Sequence, residues 1–394
     1  MIRHLLKMVW YRKRINGLIM IEIFFSFIVL FAVLTMGIFL ATNYRHPLGF
    51  SIERVWSINI NTRLPWETHR KEKVDGMEHI TTALRDLPEI ESIGGVSMAP
   101  YSHSEWISNS EFNGREISTR GNEATDGLKS VLGIDLTAGR WFTPDDNGAA
   151  FKPAVINERL AQDLYGSENP LGKELPFNKE RVVGVMRDFR KAGAFSQTVN
   201  YLITRINISD TADRHILYTI LIKVKPGTTA AFQERLVKAL ESVQKNWTFE
   251  VAQLEHERDE DAKVRLAPLL AGGIIAMFLL SMVALGLIGV LWQNVSQRTT
   301  EIGLRRALGG TARHVSRQIH AEQFVITTIG VAAASALVLQ VPLLNLAGDS
   351  INLDVYLSAL FLSLFLMYGL TYFCSMFPGW LAMEIEPAEA LHYE

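Results

Sequence analysis

Cysteine is almost absent from the sequence: Cys374 is the only one in 394 residues, which excludes an intrachain disulfide and leaves the redox compartment unreadable. Charge is also scarce, since charged residues make up 20% of the chain and hydrophobic residues 48%, a balance too apolar for an ordinary soluble protein. The formal net charge of -2 does not indicate nucleic acid, and we expect no nucleic-acid partner.

The usual motifs of catalysis are missing too. The nearest approach to a phosphate-binding loop is "GSENPLGKE" (Gly166–Glu174), which has one residue too many between its glycines and Glu where Ser or Thr is required. The stretch "HERDE" (His256–Glu260) begins like a zinc-binding helix but ends in Glu, and is more typical of a solvated charged helix. We therefore expect no catalytic residues, no metal and no bound cofactor in this chain, which excludes an enzyme in its own right.

Four long stretches without charged residues are what the sequence does contain. A helix needs roughly 20 apolar residues to cross a bilayer. The alternative, core helices of a soluble protein, would show a polar face, and these segments are apolar all round. The four stretches are Ile23–Thr42, Leu266–Gln297, Gln323–Gly348 and Val355–Met383.

Basic residues flank these segments unevenly, and this predicts the orientation, because Lys and Arg accumulate in cytoplasmic loops. The link between the third and fourth segments has Asp349 and Asp354 and no basic residue. The C-terminal tail is acidic and does not follow the pattern, but acidic residues carry little weight in this rule. We expect both termini and the loop after the second segment in the cytoplasm. The basic residues are Arg3, Lys7, Arg12, Lys13 and Arg14 before the first segment, and Arg298, Arg305, Arg306, Arg313 and Arg317 in the loop, against Glu301 alone.

Residues 43–265 are mixed in charge and rich in turn signals, which predicts a folded domain outside the cytoplasm. Each end of this region reads as a β-α-β unit: "RVWSINI", "KVDGMEHITTALRDLPEI" and "IGGVSMAP" at one end, and "HILYTILIKVKPG", "TTAAFQERLVKALESVQKNW" and "TFEVAQLE" at the other. Both ends of the region re-enter the membrane, so we expect the two units to lie close together and to share one sheet. Between them lies a second, strand-rich lobe with one helix around "NERLAQDLY". The predicted fold class is four transmembrane α-helices with a large α+β extracytoplasmic domain between helices 1 and 2.

The charged run "HERDEDAKVRLAPLL" passes into the second apolar segment without a glycine. This favours one continuous stalk helix over the alternative, a loop that ends just before Pro268. The expected division is 1–16 cytoplasmic amphipathic segment, 17–42 first span, 43–265 outer domain, 266–292 second span, 293–320 cytoplasmic coupling loop and helix, 321–347 third span, 348–354 outer loop, 355–378 fourth span and 379–394 cytoplasmic tail.

The segment "EIGLRRALGGTARHV" resembles the cytoplasmic loop of FtsX/MacB-type ABC transporter permeases, a long ungapped pattern in which Gly310 stands where Ala is commoner. The ending "IEPAEALHYE" is similar to that family's closing motif, with His392 in place of the usual Arg, and "PGWLAMEI" lacks the basic pair that often precedes it. The stretches "AGRWFTPDD" and "PAVINERLAQDLYGSENPLGKEL" resemble the MacB-like periplasmic core domain, with Gly139-Arg140, Asn157-Glu158, Gly172-Lys173 and, further on, Gly184-Val185 at recurring positions.

The resemblance implies a permease subunit of a bacterial inner membrane. It would couple ATP hydrolysis by a separate cytoplasmic ABC ATPase dimer to movements of its outer domain, a mechanism called mechanotransmission. ATP and Mg²⁺ would then bind in the ATPase. A second permease chain is expected, identical or different, besides membrane lipids and an optional periplasmic adaptor with an outer-membrane duct. The residues assigned to ATPase coupling are Glu301, Ile302, Gly303, Leu304, Arg305, Arg306, Ala307, Leu308 and Gly309.

Three functions are compatible with this resemblance: export of a peptide, toxin or drug-like substrate, extraction of lipoproteins from the membrane, and signalling that regulates a cell-wall hydrolase. The large outer domain favours the first two. The apolar residues of the loop, Ile302, Leu304, Ala307 and Leu308, have helical spacing and could anchor it in a groove, whereas the alternative is an ordinary basic loop against lipid head groups.

Overall fold

The structure, a computed structural model, describes residues 13–62, 70–176, 180–208, 217–308, 311–343 and 352–384. The chain divides into two compact units, Asn43–Arg265 and the remainder. Four expectations lie outside the described residues: most of the N-terminal segment, Gly309, most of the outer loop 348–354, and the end of the C-terminal tail.

The helices are α1 (Lys13–Tyr44), α2 (Arg70–Arg85), α3 (Leu128–Leu132), α4 (Glu158–Tyr165), α5 (Ala231–Val243), α6 (Leu254–Gln297), α7 (Thr299–Ala307), α8 (Ala312–Val338), α9 (Gln340–Leu343) and α10 (Leu353–Glu384). The strands are β1 (Val55–Asn61), β2 (Ile90–Val96), β3 (Trp106–Phe112), β4 (Arg115–Ala124), β5 (Leu136–Gly139), β6 (Lys152–Asn157), β7 (Glu180–Met186), β8 (Tyr201–Arg205), β9 (Thr219–Val224) and β10 (Thr248–Gln253).

In the described part of the chain, four helices, α1, α6, α8 and α10, are long and apolar enough to cross a membrane. Their shared core includes Phe27, Leu287 and Met367, while large apolar side chains such as Leu285 and Phe361 are more than 70% exposed. Such exposure suits helices surrounded by lipid, because an aqueous surface of this kind would aggregate. The structure therefore confirms the predicted number of spans.

The helices begin before the predicted spans do. The third span was expected to begin at residue 321, but α8 begins at Ala312 and ends at Val338, and α9 follows it. The fourth was expected over 355–378, but α10 covers Leu353–Glu384. The reason is that the absence of charge marks only the part of a helix that lies in hydrocarbon, whereas basic residues such as Arg313 and Arg317 are good helix formers outside it.

The first and last thirds of the outer domain form one sheet, as predicted. Its strand order is β10-β1-β9-β2, and every neighbouring pair is antiparallel. Helices α2 and α5 bury an apolar stripe against it, through residues such as Ile80 and Leu236. Two β-α-β units interleaved in this order give the split β-α-β, or ferredoxin-like, arrangement.

The second lobe continues the same sheet as β4-β8-β6-β7-β5, with β3 paired to β4. A single residue pair, Val96 opposite Ala124, joins the two halves. Helix α4 is the helix predicted around "NERLAQDLY", and it begins where the Asn157 side chain accepts a hydrogen bond from the Leu160 N–H. The short helix α3 was not predicted, since five residues are too few to show a helical period. The predicted fold class is confirmed.

Helix α6 runs unbroken from Leu254 to Gln297 and contains Pro268. The proline supplies no N–H to the carbonyl four residues before it, but it does not end the helix. At the start of α6, Glu257 Oε1 accepts a hydrogen bond of 2.9 Å from Ser57 Oγ on β1. The structure therefore has a helix where the alternative placed a loop.

Candidate functional site

The candidate site is the short helix α7, which lies between the membrane helices α6 and α8. It contains the predicted coupling residues from Glu301 to Ala307. Leu308 follows the helix and its N–H still donates to the Leu304 carbonyl at 3.0 Å, whereas Gly309 lies outside the described residues. Sequence and structure therefore agree that this stretch is helical.

An ion pair braces the elbow between α6 and α7. Arg298, the one residue between the two helices, places Nη1 3.2 Å from Glu322 Oε1 and 3.3 Å from Oε2 on α8. Gln318 Nε2, one turn earlier on α8, donates to the same Oε1 at 3.2 Å. Because both charged side chains are mostly shielded from solvent, at 22% and 12% exposure, the pair is more than an ordinary surface contact.

A small apolar cluster supports the same elbow. Val295 near the end of α6 packs with Val315 and Ile319 on α8. The Thr299 hydroxyl donates to the carbonyls of Val295 and Ser296, which closes the last turn of α6 onto the start of α7. The elbow thus has both an apolar and an ionic brace.

The far part of α7 presents apolar side chains to the surroundings. Leu304 is 51% exposed and Leu308 is 80% exposed, while Gly303 is buried. The described residues therefore leave two leucines one turn apart, Leu304 on α7 and Leu308 directly after it, largely exposed, as is expected of a helical segment that enters a groove on another protein. Nothing is described for the side chains of Glu301, Ile302, Arg305 and Arg306.

Glu322 is a residue of the elbow that sequence reasoning missed. It is the only acidic residue between Glu301 and Asp349, and it stands at the start of an apolar run. An ionisable residue at the edge of a membrane span warrants a search for its partner, and five basic residues of the preceding loop were candidates. The sequence offered this signal but could not say which arginine pairs with it.

Among the described residues, no group of three or more His, Cys, Asp or Glu side chains is placed to hold a metal ion.

Two family models match the chain in succession: the MacB-like periplasmic core domain over residues 17–239, and the FtsX-like permease C-terminal domain over residues 273–387. The second match includes α7 and its elbow. The chain is an ABC transporter permease of the MacB/FtsX type.

Relatives of this permease fall into two kinds. The uncharacterized ABC transporter permease YknZ of Bacillus subtilis is 24% identical over 252 residues, which cover 62% of each chain. The macrolide export ATP-binding/permease protein MacB of Bdellovibrio bacteriovorus is 26% identical over 271 residues, which cover 65% of this permease but 41% of that protein. The permease therefore spans less than two thirds of these relatives.

Among solved structures, the periplasmic region of MacB from Actinobacillus actinomycetemcomitans is similar with a TM-score of 0.38 and 17% identity, over 53% of this permease and 92% of that chain. The two family-model matches confirm, at the level of family, the resemblance inferred from the loop motif. The MacB/FtsX-type permease is a multi-pass membrane protein with its α/β domain between the first and second spans.

Proposed function

We propose that this permease couples ATP hydrolysis by a separate cytoplasmic ABC ATPase to movements of its outer domain, and that this mechanotransmission drives export of a peptide, toxin or drug-like substrate. In this proposal α7 is the contact with the ATPase. The exposure of Leu304 and Leu308 on a braced helix is the observation that carries it.

The elbow supports a mechanical role for α7. Arg298 links the end of α6 to α8 through Glu322, and Val295 does the same through Val315. A push on α7 would therefore be received by two membrane helices and not absorbed by a flexible loop. Helix α6 then continues without a break back to Leu254, directly after the end of β10 at Gln253, with one backbone hydrogen bond lost at Pro268.

Export is favoured over the other candidate functions by the name of one relative. The Bdellovibrio protein is described as a macrolide export protein, and it carries ATP-binding and permease functions together. This permease matches 41% of that protein, which agrees with a permease whose ATPase is a separate subunit. In the proposed assembly an ATPase dimer binds two permease chains in the inner membrane, with the termini in the cytoplasm.

The decisive experiment replaces Leu304 and Leu308 together by Asp and measures how much ATPase co-purifies with the tagged permease. Burying one leucine contributes roughly 1.5–3 kcal/mol, about ten- to a hundredfold in affinity, and a charge in an apolar groove adds a further cost. We expect the double variant to insert in the membrane and lose the ATPase.

The matched control is the double replacement of Arg305 and Arg306 by Ala, which removes charge from the same helix. Exposed ion pairs contribute about 0–1 kcal/mol and are screened by salt, so this variant should lose much less ATPase. If the double Asp variant retains the ATPase as well as the parent does, α7 is not the coupling helix.

A further inference from the structure

The loop Arg190–Ser196, between β7 and β8, makes more connections than its length suggests. Two backbone hydrogen bonds fold it on itself, from Gly193 N–H to the Arg190 carbonyl at 2.9 Å and from Ser196 N–H to the Gly193 carbonyl at 3.1 Å. Gly193 has a φ of +92°, which a side chain would strain. The loop is therefore a compact turn with a fixed shape.

Arg190 holds this turn from inside. Its side chain is 2% exposed, and its guanidinium donates to the carbonyls of Ala194 at 2.7 Å and of Ser196 through both Nε and Nη2. Its Nη1 donates at 2.7 Å to the carbonyl of His46, just after α1. The planar guanidinium suits this role, since its donors lie in a rigid fork that reaches well-separated carbonyls, whereas the lysine ammonium is a compact point charge.

The segment that leaves α1 meets the loop at two further points. Asn43 Nδ2 donates to the Phe195 carbonyl at 3.3 Å, and the rings of Tyr44 and Phe195 stack with centroids 5.5 Å apart. The Arg190 N–H also donates to the Leu48 carbonyl at 2.9 Å. Residues 43–48, where the chain enters the outer domain, are thus fastened to one face of the loop.

The segment that leaves the outer domain meets the same loop. Arg265, in the charged part of α6, donates from Nη2 to the Ala192 carbonyl at 2.9 Å and from Nε to Asp261 Oδ2 at 2.7 Å. The contact is close, because a Cβ at Gly193 would come within 3.1 Å of Asp261 Oδ2 and 2.9 Å of Tyr101 Cε1. Both chain connections therefore converge on seven residues.

A third connection ties the loop to the lobe. Lys191 is buried and donates from Nζ to the carbonyls of Ser102 at 2.9 Å and Ser104 at 2.6 Å. The Tyr101 N–H donates back to the Lys191 carbonyl at 2.9 Å. The loop is thus joined to the entering segment, the leaving helix and the body of the domain.

We propose that the loop Arg190–Ser196 is the mechanical junction of the permease, at which the Arg265–Ala192 contact locks the stalk part of α6 to the outer domain so that the two move as one body. This inference rests on the proposed mechanotransmission and deepens it by assigning Arg265, Asp261 and Arg190 as positioning residues. It predicts a rigid connection in the permease alone, before any ATPase is bound.

The test uses the full-length permease in lipid nanodiscs with Cys374 replaced by Ser. Nitroxide labels are placed on the stalk by Lys263→Cys and on α5 by Glu241→Cys, both exposed positions, and pulsed electron paramagnetic resonance gives the distance distribution between them. Arg265→Ala should broaden this distribution about twofold, and Gly193→Ala, which crowds Asp261, should broaden it as well. Arg258→Ala, which removes an exposed ion pair of the same helix, is the control and should keep the parent width.

Hydrogen exchange separates a junction from a general loss of structure. In Arg265→Ala, amides of the loop should lose protection while those of β8 keep it, and Arg265→Lys should restore part of the protection through one donor to Ala192. A distribution as narrow as the parent's in Arg265→Ala would overturn the junction. So would loss of β8 protection in both Arg265 variants, since the contact would then serve folding only.

The two proposals fail separately. The distance measurement needs no ATPase, so its failure would remove the junction and leave the α7 contact standing. Retention of the ATPase by the Leu304 and Leu308 variant would remove the α7 contact, whereas a narrow parent distribution would still show a locked stalk.

Discussion

Arg298 and Lys191 are both basic side chains withdrawn from water, but their partners differ. Arg298 faces the Glu322 carboxylate, so its charge is compensated within the membrane unit. Lys191 is only 4% exposed and faces the backbone carbonyls of Ser102 and Ser104, which are dipoles without net charge. The cost of removing a charge from water is offset by an opposite charge more fully than by dipoles, so the two residues should respond differently to change.

Replacing Arg298 by Ala should weaken ATPase retention without preventing membrane insertion. The loss leaves Glu322 without its cation, and a hydrogen bond to a charged group contributes about 1.5–3 kcal/mol, so α7 would no longer be held at a defined angle. Arg298→Lys should restore part of the retention in a pull-down. The control is Arg313→Ala, which removes an exposed basic residue of α8. Equal losses in the Arg298 and Arg313 variants would show that only positive charge matters.

The free energy of unfolding of the outer domain should depend on pH through the lowered pKa of Lys191. Burial lowers the pKa of Lys191 to about 8, whereas an unfolded lysine has a pKa of about 10.4. Between these values the unfolded chain holds a proton that the folded domain has released, so stability rises with pH. The domain 43–265 should therefore gain stability relative to its Lys191→Met variant between about pH 8 and about pH 10.4. Urea unfolding of both proteins measures this, and parallel changes would contradict it.

Residue roles were readable from the sequence only where neighbours along the chain decide them. Leu304 and Leu308 are one turn apart, so their common face followed from helical spacing, and their exposure agrees with it. Glu322 and Arg298 are separated by a loop and the start of α8, so their pairing depends on how two helices pack. The same reason hid Arg190, whose partner His46 is 144 residues away.

At the scale of elements, α6 combines a stalk and a membrane span in one helix of 44 residues. An unbroken helix resists bending, because bending lengthens its backbone hydrogen bonds. Its polar start is fastened to the outer domain through Glu257 and Arg265, both bonded within that unit. The best place to test its stiffness is therefore directly after Arg265.

Inserting a flexible Gly-Ser segment between Arg265 and Leu266 should leave ATP hydrolysis by the co-purified complex near the parent level and abolish complementation of a deletion strain. Glycine in a helix costs about 1 kcal/mol per residue relative to alanine, so the insert would break the rigid path. An Ala-Ala-Ala-Ala insertion, which continues the helix by about one turn, is the matched control for length. Full complementation by the Gly-Ser variant would argue against transmission through α6.

The elements of the outer domain differ in how far the sequence predicted them. Strands β1 and β10 and helices α2 and α5 followed from local period, and their pairing in one sheet followed from the two ends meeting. The order of the second lobe did not follow. There β4 is parallel to β8, and these strands are separated by three other strands in the chain, so no local pattern encodes the pairing.

At the scale of the whole molecule, orientation is an expectation that labelling can decide. In a Cys374→Ser background, a cysteine at Glu116 in the β3–β4 hairpin and one at Arg313 in α8 are both at exposed positions. A membrane-impermeant maleimide should label only the first in intact cells with a permeable outer envelope, and both after lysis. Labelling at position 313 before lysis would reverse the assignment that the basic residues favour.

The two halves of the sheet meet through one residue pair, and this has a consequence for how such domains can vary in sequence. Val96, the last residue of β2, is opposite both Ala124, the last residue of β4 in the second lobe, and Thr219, the first residue of β9. The chain therefore enters and leaves the second lobe at neighbouring positions, so the lobe is an insertion between the two β-α-β units. A different insertion could be exchanged at this point without altering the ferredoxin-like half, provided that it brings its own equivalent of Arg190–Ser196. The membrane helices and the ferredoxin-like half could thus remain the same while the second lobe changes.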